Sequence, residues 1–175
     1  MPDMYCRAPS FTGFNGGFVI NFQFEFAPGA LTIRNEAGMV RHIAMDGSPL
    51  PATPTPSNSG TSIAHWEGDT LVIETVGIAP DALVGTYGPI GRNARITERI
   101  RMVREGVLET DLATSAPELF TGVDHRTFLT GRVPGKRQAL PVTYCSEHDR
   151  SYDAATGKER FDMTPPADLP PPPGN

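Results

Sequence analysis

The chain has 175 residues, 20% of them charged, with 15 lysines and arginines against 20 aspartates and glutamates and a formal net charge of −5. That length suffices for one domain whose core needs neither disulfides nor metals. The acidic balance excludes a basic field able to hold a phosphate backbone or an anionic membrane, so nucleic acid and lipid surfaces are set aside as partners. No apolar run approaches the roughly 20 residues of a membrane span. The opening Met1-Pro2-Asp3-Met4-Tyr5-Cys6-Arg7 lacks a charged region followed by an apolar one, so a cytoplasmic protein is expected. Cys6 and Cys145 lie near opposite ends. They are free thiols in a reducing compartment, or they close one long loop in an oxidising one.

In chain order, the run Phe18-Val19-Ile20-Asn21-Phe22-Gln23-Phe24-Glu25-Phe26 has period two, with Phe18, Ile20, Phe22, Phe24 and Phe26 on one face and polar residues on the other. It reads as a half-buried strand. Ala27-Pro28-Gly29 and Glu36-Ala37-Gly38 are turn signals that separate it from two further strands, residues 31–34 and 40–45, giving a three-stranded meander. Residues 48–60 carry four prolines within Pro49 to Pro56 spacing and cannot supply ladder donors, which predicts an extended surface crossing. Residues 61–78 then read as a β-hairpin around Glu67-Gly68-Asp69, where the glycine supplies the positive φ that a tight turn requires. The glycine-rich connection that follows, residues 79–92, has the length of a lid or binding loop and contains Tyr87. A third hairpin is expected over residues 94–114, turning at Arg104-Glu105-Gly106, and two more strands over 126–133 and 140–145.

No stretch has a convincing helical period beyond a short turn near residues 79–83. Successive hairpins favour an all-β fold, an antiparallel meander closed into a β-barrel of eight or nine strands, since a long open meander leaves exposed edges. A β-sandwich is the alternative. The barrel domain is expected over residues 1–163, with a proline-rich tail over 164–175.

Alternation across residues 94–102 puts Glu98 on the face of Ala94, Ile96, Ile100 and Met102. A carboxylate patterned as interior is paired, hydrogen-bonded or protonated, and a raised pKa is what a general acid or base needs; an internal salt bridge is the plain reading. Arg41 is a suitable partner for it, although residues 40–45 leave open whether Arg41 or His42 faces inward. His65 shares a face with Ile63, and inward it would act as base or donor. Trp66, Phe22 and Phe24 would hold an aromatic ring, with Tyr87, His42 and Glu74 as further contacts; the same aromatic strand face is equally a packed core. Glu74 is alternatively a surface rung, and Asp124-His125-Arg126 a solvated triplet. Metal ligation has little support, because His42, His65, His125 and His148 show no ligand spacing. No phosphate loop and no Gly-x-Ser-x-Gly elbow is present, which argues against nucleotide and serine-hydrolase chemistry.

Met45-Asp46-Gly47, the run Trp66-Glu67-Gly68-Asp69-Thr70-Leu71-Val72 and Thr97-Glu98-Arg99 resemble the recurring motifs of a large uncharacterised bacterial family, over residues 6–147. The resemblance implies a lipocalin-like (calycin) barrel, relatives that are often exported, and cysteines at the places of Cys6 and Cys145. Where such relatives often read Trp-x-Gly-His-Ser, this chain has Asn58-Ser59-Gly60-Thr61-Ser62, and Arg92-Asn93 replaces an expected His-Ser pair.

Three functions are expected in order. The first is a cofactor-independent lyase, dehydratase or isomerase acting on a small apolar or aromatic molecule, with Glu98 moving the proton, Arg41 or His65 stabilising negative charge and Trp66 holding the ring. The second is a carrier or sensor of such a ligand. The third is a structural or interaction domain whose proline-rich tail docks on a partner. No cofactor is implied, and a second copy of the chain, as a homodimer, is the other candidate partner.

Overall fold

The computed structural model describes residues 21–35, 39–80, 82–84, 88–132, 150–152, 155–156 and 159–161, and among these it contains no helix. The chain divides into two compact units, Ala8–Thr143 and a smaller one made of Met1–Arg7 with Tyr144–Asn175. The smaller unit holds a two-stranded antiparallel ribbon, β11 (Arg150–Tyr152) and β12 (Glu159–Phe161). Cys6, Cys145, Tyr87, the expected strand over 140–145 and the proline-rich tail lie outside the described residues.

In the larger unit the alternating phenylalanines form β1 (Phe22–Ala27), which turns at Gly29 into β2 (Ala30–Asn35) and then β3 (Val40–Ala44), the expected meander. The hairpin of β4 (Thr61–Glu67) and β5 (Thr70–Val76) is joined through Gly68, whose φ of 62° lies in the left-handed region that glycine enters without steric cost. Strands β8 (Arg95–Arg104) and β9 (Val107–Ser115) form the third hairpin, with a register shift between Met102 and Arg104, and β10 (Val123–Gly131) completes the sheet. Its start lies three residues before the expected one. Strand order is β1-β2-β3-β4-β5-β8-β9-β10.

Two features depart from a closed antiparallel barrel. Strands β3 and β4 run parallel and share only two paired positions, Ile43↔Ser62 and Ala44↔Ile63. The cause is the proline-rich crossing: it carries the chain back past the sheet instead of reversing it in a tight turn, so β4 starts at the same end as β3. The second departure is that β1 and β10 are the two edges of the sheet, which curls into half a barrel and stops. Closing eight strands requires a tilt of about 35–45° and a matching stagger. The first three strands, of six, six and five residues against ten, nine and nine for β8, β9 and β10, give little length for that.

The curl is measurable in the side chains. Adjacent strands lie about 4.8 Å apart, so on a flat sheet β1 and β4, or β3 and β8, would be separated by about 14 Å. Yet Phe26 of β1 stacks on Trp66 of β4, and Arg41 of β3 bonds Glu98 of β8. Both contacts span three strand spacings on the concave face.

That face buries Leu31, Ile33, Ile43, Ala64, Leu71, Ile73 and Ile100, against which Phe22, Phe24, Met45 and Leu108 pack. Phe22 and Phe24 are thus partly buried core. Within the connection over residues 79–92, the described Ala82, Val84 and Ile90 join Ile78, Ala94, Ile96, Leu112 and Ala116 in a second core cluster, around the short β6 (Leu83–Val84) and β7 (Gly88–Pro89) pair. The proline crossing is pinned to this region, since Ser57 N–H donates to the Gly77 carbonyl (3.0 Å) and Ala79 N–H to the Ser57 carbonyl (2.8 Å).

Candidate functional site

Register decides which polar groups face inward. Residues directly opposite in adjacent strands lie on one face, so the pairs Ile33↔Arg41, Ser62↔Thr75, Ile73↔Glu98 and Glu98↔Leu112 place Arg41, Ser62, Thr75 and Glu98 together on the concave side. Glu98 is fully buried and Arg41 is 2% exposed. Arg41 Nη1 donates to Glu98 Oε1 at 3.2 Å and Nη2 to Oε2 at 2.8 Å, the two-point geometry in which guanidinium and carboxylate match best. Nη2 also lies 3.3 Å from Ser62 Oγ and 3.2 Å from Thr75 Oγ1, and these hydroxyls are 2.8 Å from each other. A charge removed from water is tolerated when it is paired and hydrogen-bonded in this way. The interior carboxylate expected at Glu98 and its pairing with Arg41 are both present, and both carboxylate oxygens are occupied by the guanidinium.

The remaining expected site residues lie elsewhere. His65 sits on the convex face with Ile63, because Ser62, Ala64 and Trp66 take the inward positions opposite Thr75, Ile73 and Leu71. There its Nε2 is 3.2 Å from Glu67 Oε1, and Arg99 Nη2 donates to Glu67 Oε2 at 2.7 Å. The Arg99 hydrogen bond, followed by that of His65, holds the Glu67 carboxyl below its ordinary value. Such a lowered carboxyl favours the folded state above its unfolded pKa, an effect that fades as pH falls through the folded one; solvent exposure keeps it small. His42 is also convex and exposed, with Nδ1 3.3 Å from Thr32 Oγ1. Glu74 is a surface rung 4.0 Å from Arg95 Nη1. Asp124 and Arg126 are half-buried and bonded to each other at 2.9 Å. His65 and Glu98 therefore face opposite sides of the sheet and do not converge on one substrate.

A different group emerges where the β1/β2, β4/β5 and β8/β9 turns gather at one end of the sheet. Trp66 and Phe26 stack with ring centroids 6.2 Å apart and an interplanar angle of 25°, yet remain 53% and 57% exposed. Met102, on the same face opposite Leu108, is 63% exposed. On the concave face Phe26 stands opposite buried Leu31 and Trp66 opposite buried Leu71, while Met102 lies one step past buried Ile100 toward the turns. Of these three, the sequence singled out Trp66 as a ligand contact; Phe26 was legible as part of the aromatic face, and Met102 only as the last member of an apolar alternation. Ser62 and Thr75 had no signal of their own beyond standing on apolar-patterned strands.

No set of three or more His, Cys, Asp or Glu side chains placed to hold a metal occurs among the described residues, and no helix there is long and apolar enough to cross a membrane. Comparison with family models, curated proteins and solved structures finds no match.

Proposed function

We propose that the protein is a non-catalytic carrier or sensor of a small apolar or aromatic molecule, bound at the turn end of the concave face against Phe26, Trp66 and Met102. The observation that carries this reading is the stacked Phe26–Trp66 pair, more than half exposed at the margin of an otherwise buried apolar face. Aromatic side chains gain strongly from burial and offer a flat surface for another ring, so leaving two of them in water is costly unless something covers them. The half-barrel curl of the sheet, which leaves a concave apolar face open at its turn end, is compatible with the lipocalin-like fold that the resemblance of the Trp66 to Val72 motif implies.

The acid–base enzyme has less support in this geometry. Its proton carrier, Glu98, is sealed from solvent with both oxygens on Arg41, and His65 lies on the other face of the sheet. A buried carboxylate satisfied by a structural partner is what an ion pair needs and what a base open to substrate lacks.

Trp66 is the only tryptophan, so its emission reports on the site directly. Titration with indole, 1-naphthol and decanol is expected to give a saturable change in Trp66 emission for at least one of them. Phe26→Ala is expected to weaken that ligand about tenfold, equivalent to ~1.4 kcal/mol. A signal that stays linear in every ligand, or an affinity unaltered by Phe26→Ala, would remove the assignment.

A further inference from the structure

The sheet has one weak line, and it runs through the proposed site. Every antiparallel neighbour in the eight-stranded sheet shares at least five paired positions, whereas β3 and β4 share two. On one side of this seam lies the β1–β3 meander with Phe26; on the other lie β4, β5, β8, β9 and β10 with Trp66 and Met102. Few backbone hydrogen bonds thus hold the two halves together there. Across the seam the halves meet through one apolar cluster, Leu31, Ile33 and Ile43 against Ala64, Leu71, Ile73 and Ile100, and through directional polar bonds: Arg41, from the meander, bonds Ser62 on β4, Thr75 on β5 and Glu98 on β8. No other ion pair described in the sheet crosses the seam, since Arg34–Glu25 lies within the meander and the Arg95, Arg99, Arg101 and Arg126 pairs lie within the other half.

We infer that Arg41 is a positioning residue for the aromatic site: its polar clamp straps the β1–β3 meander across the parallel seam, and only with the strap closed does Phe26 meet Trp66. The inference rests on reading the aromatic pair as the ligand surface. The meander is then the least stable cooperative unit of the sheet, opening without global unfolding. Ligand affinity falls in proportion to the fraction of molecules in the closed state, and ligand in turn favours closure. The occupant that benefits is one that touches both halves, a planar molecule bridging Phe26 and Trp66.

Hydrogen exchange by mass spectrometry on the full wild-type chain tests the seam without any variant. Amides of β2 and β3 are expected to exchange at least tenfold faster than those of β8 and β9. Equal protection of the two groups, lost together in one global step, would overturn the inference. Thr75→Val and Glu98→Gln then test the strap. Both are expected to speed exchange in β2 and β3 several-fold more than in β8 and β9, and to raise acrylamide quenching of Trp66 as Phe26 withdraws. If Glu98→Gln does not fold, Thr75→Val, which leaves the ion pair in place, carries the comparison. Uniform acceleration in all four strands with Trp66 quenching unchanged would overturn the strap. Exchange and quenching need no ligand, so their outcome is separate from that of the titrations: the strap stands if no compound binds, and it falls as a positioning device if a loosened meander binds the ligand with wild-type affinity.

Discussion

Arg41→Ala is expected to lower the unfolding free energy by about 3–5 kcal/mol, because it removes the guanidinium that pairs with the buried Glu98 carboxylate. That is a large share of the 5–15 kcal/mol typical of a folded domain, so the variant will be marginal. The Coulombic strength of the pair is not the reason. Removing two charges from water costs nearly as much as their attraction returns, and the penalty comes from stranding one of them. The double variant Arg41→Met with Glu98→Leu is therefore expected to recover most of the loss, and urea denaturation of the single and double variants measures both. A single variant within about 1 kcal/mol of wild type would mean that water or another donor reaches Glu98, and the sealed clamp would be wrong.

Gly77→Ala is expected to destabilise by about 2–5 kcal/mol, from a conformational and a steric cost that add. Its φ is 69°, where an L side chain costs about 1–2 kcal/mol. A Cβ there would stand 2.5 Å from Pro54 Cβ and 2.9 Å from Pro54 Cγ, and the proline ring cannot rotate away, which adds about 1–3 kcal/mol of overpacking. The same backbone receives the Ser57 N–H, so relief by displacement would loosen the crossing that leads into β4. Gly68→Ala is the matched control. It has a φ of 62° with nothing within 4 Å of the added carbon, so only the conformational cost of about 1–2 kcal/mol applies. Thermal or chemical denaturation of both variants separates the terms; equal losses would show that the Pro54 contact contributes nothing.

Local order was legible wherever one residue dictates one conformation. Gly68 and the Arg104-Glu105-Gly106 turn located two hairpins, the phenylalanine alternation gave β1 its face, and Ile96, Ile100 and Met102 marked Glu98 as interior. The face of β3 was not legible, because Val40 and Ala44 alternate with Ile43 and Met45 and so both faces read as apolar; only the carboxylate of β8, three spacings away, selects Arg41 for the inside. The face of His65 was not legible for a similar reason. Ile63 and Ala64 are both apolar, and the buried β5 neighbours Val72 and Ile73 accept either register. Parallel pairing of β3 and β4 had no sequence signature, since proline removes ladder donors without stating where the chain returns. The Phe26–Trp66 contact was hidden as well, because it depends on curl accumulated over four strands and not on any spacing within one.

Apart from the face of His65, these differences concern relations across the β3/β4 seam, which is where both the clamp and the aromatic pair lie. The most direct test of the account is a crystal structure of the full chain with the tightest ligand from the Trp66 titrations. Density is expected to stack against Phe26 and Trp66 at the turn end of the concave face, with the Arg41–Glu98 pair intact. Density in contact with the Glu98 carboxylate, with Arg41 drawn away, would contradict this and return the protein to acid–base chemistry.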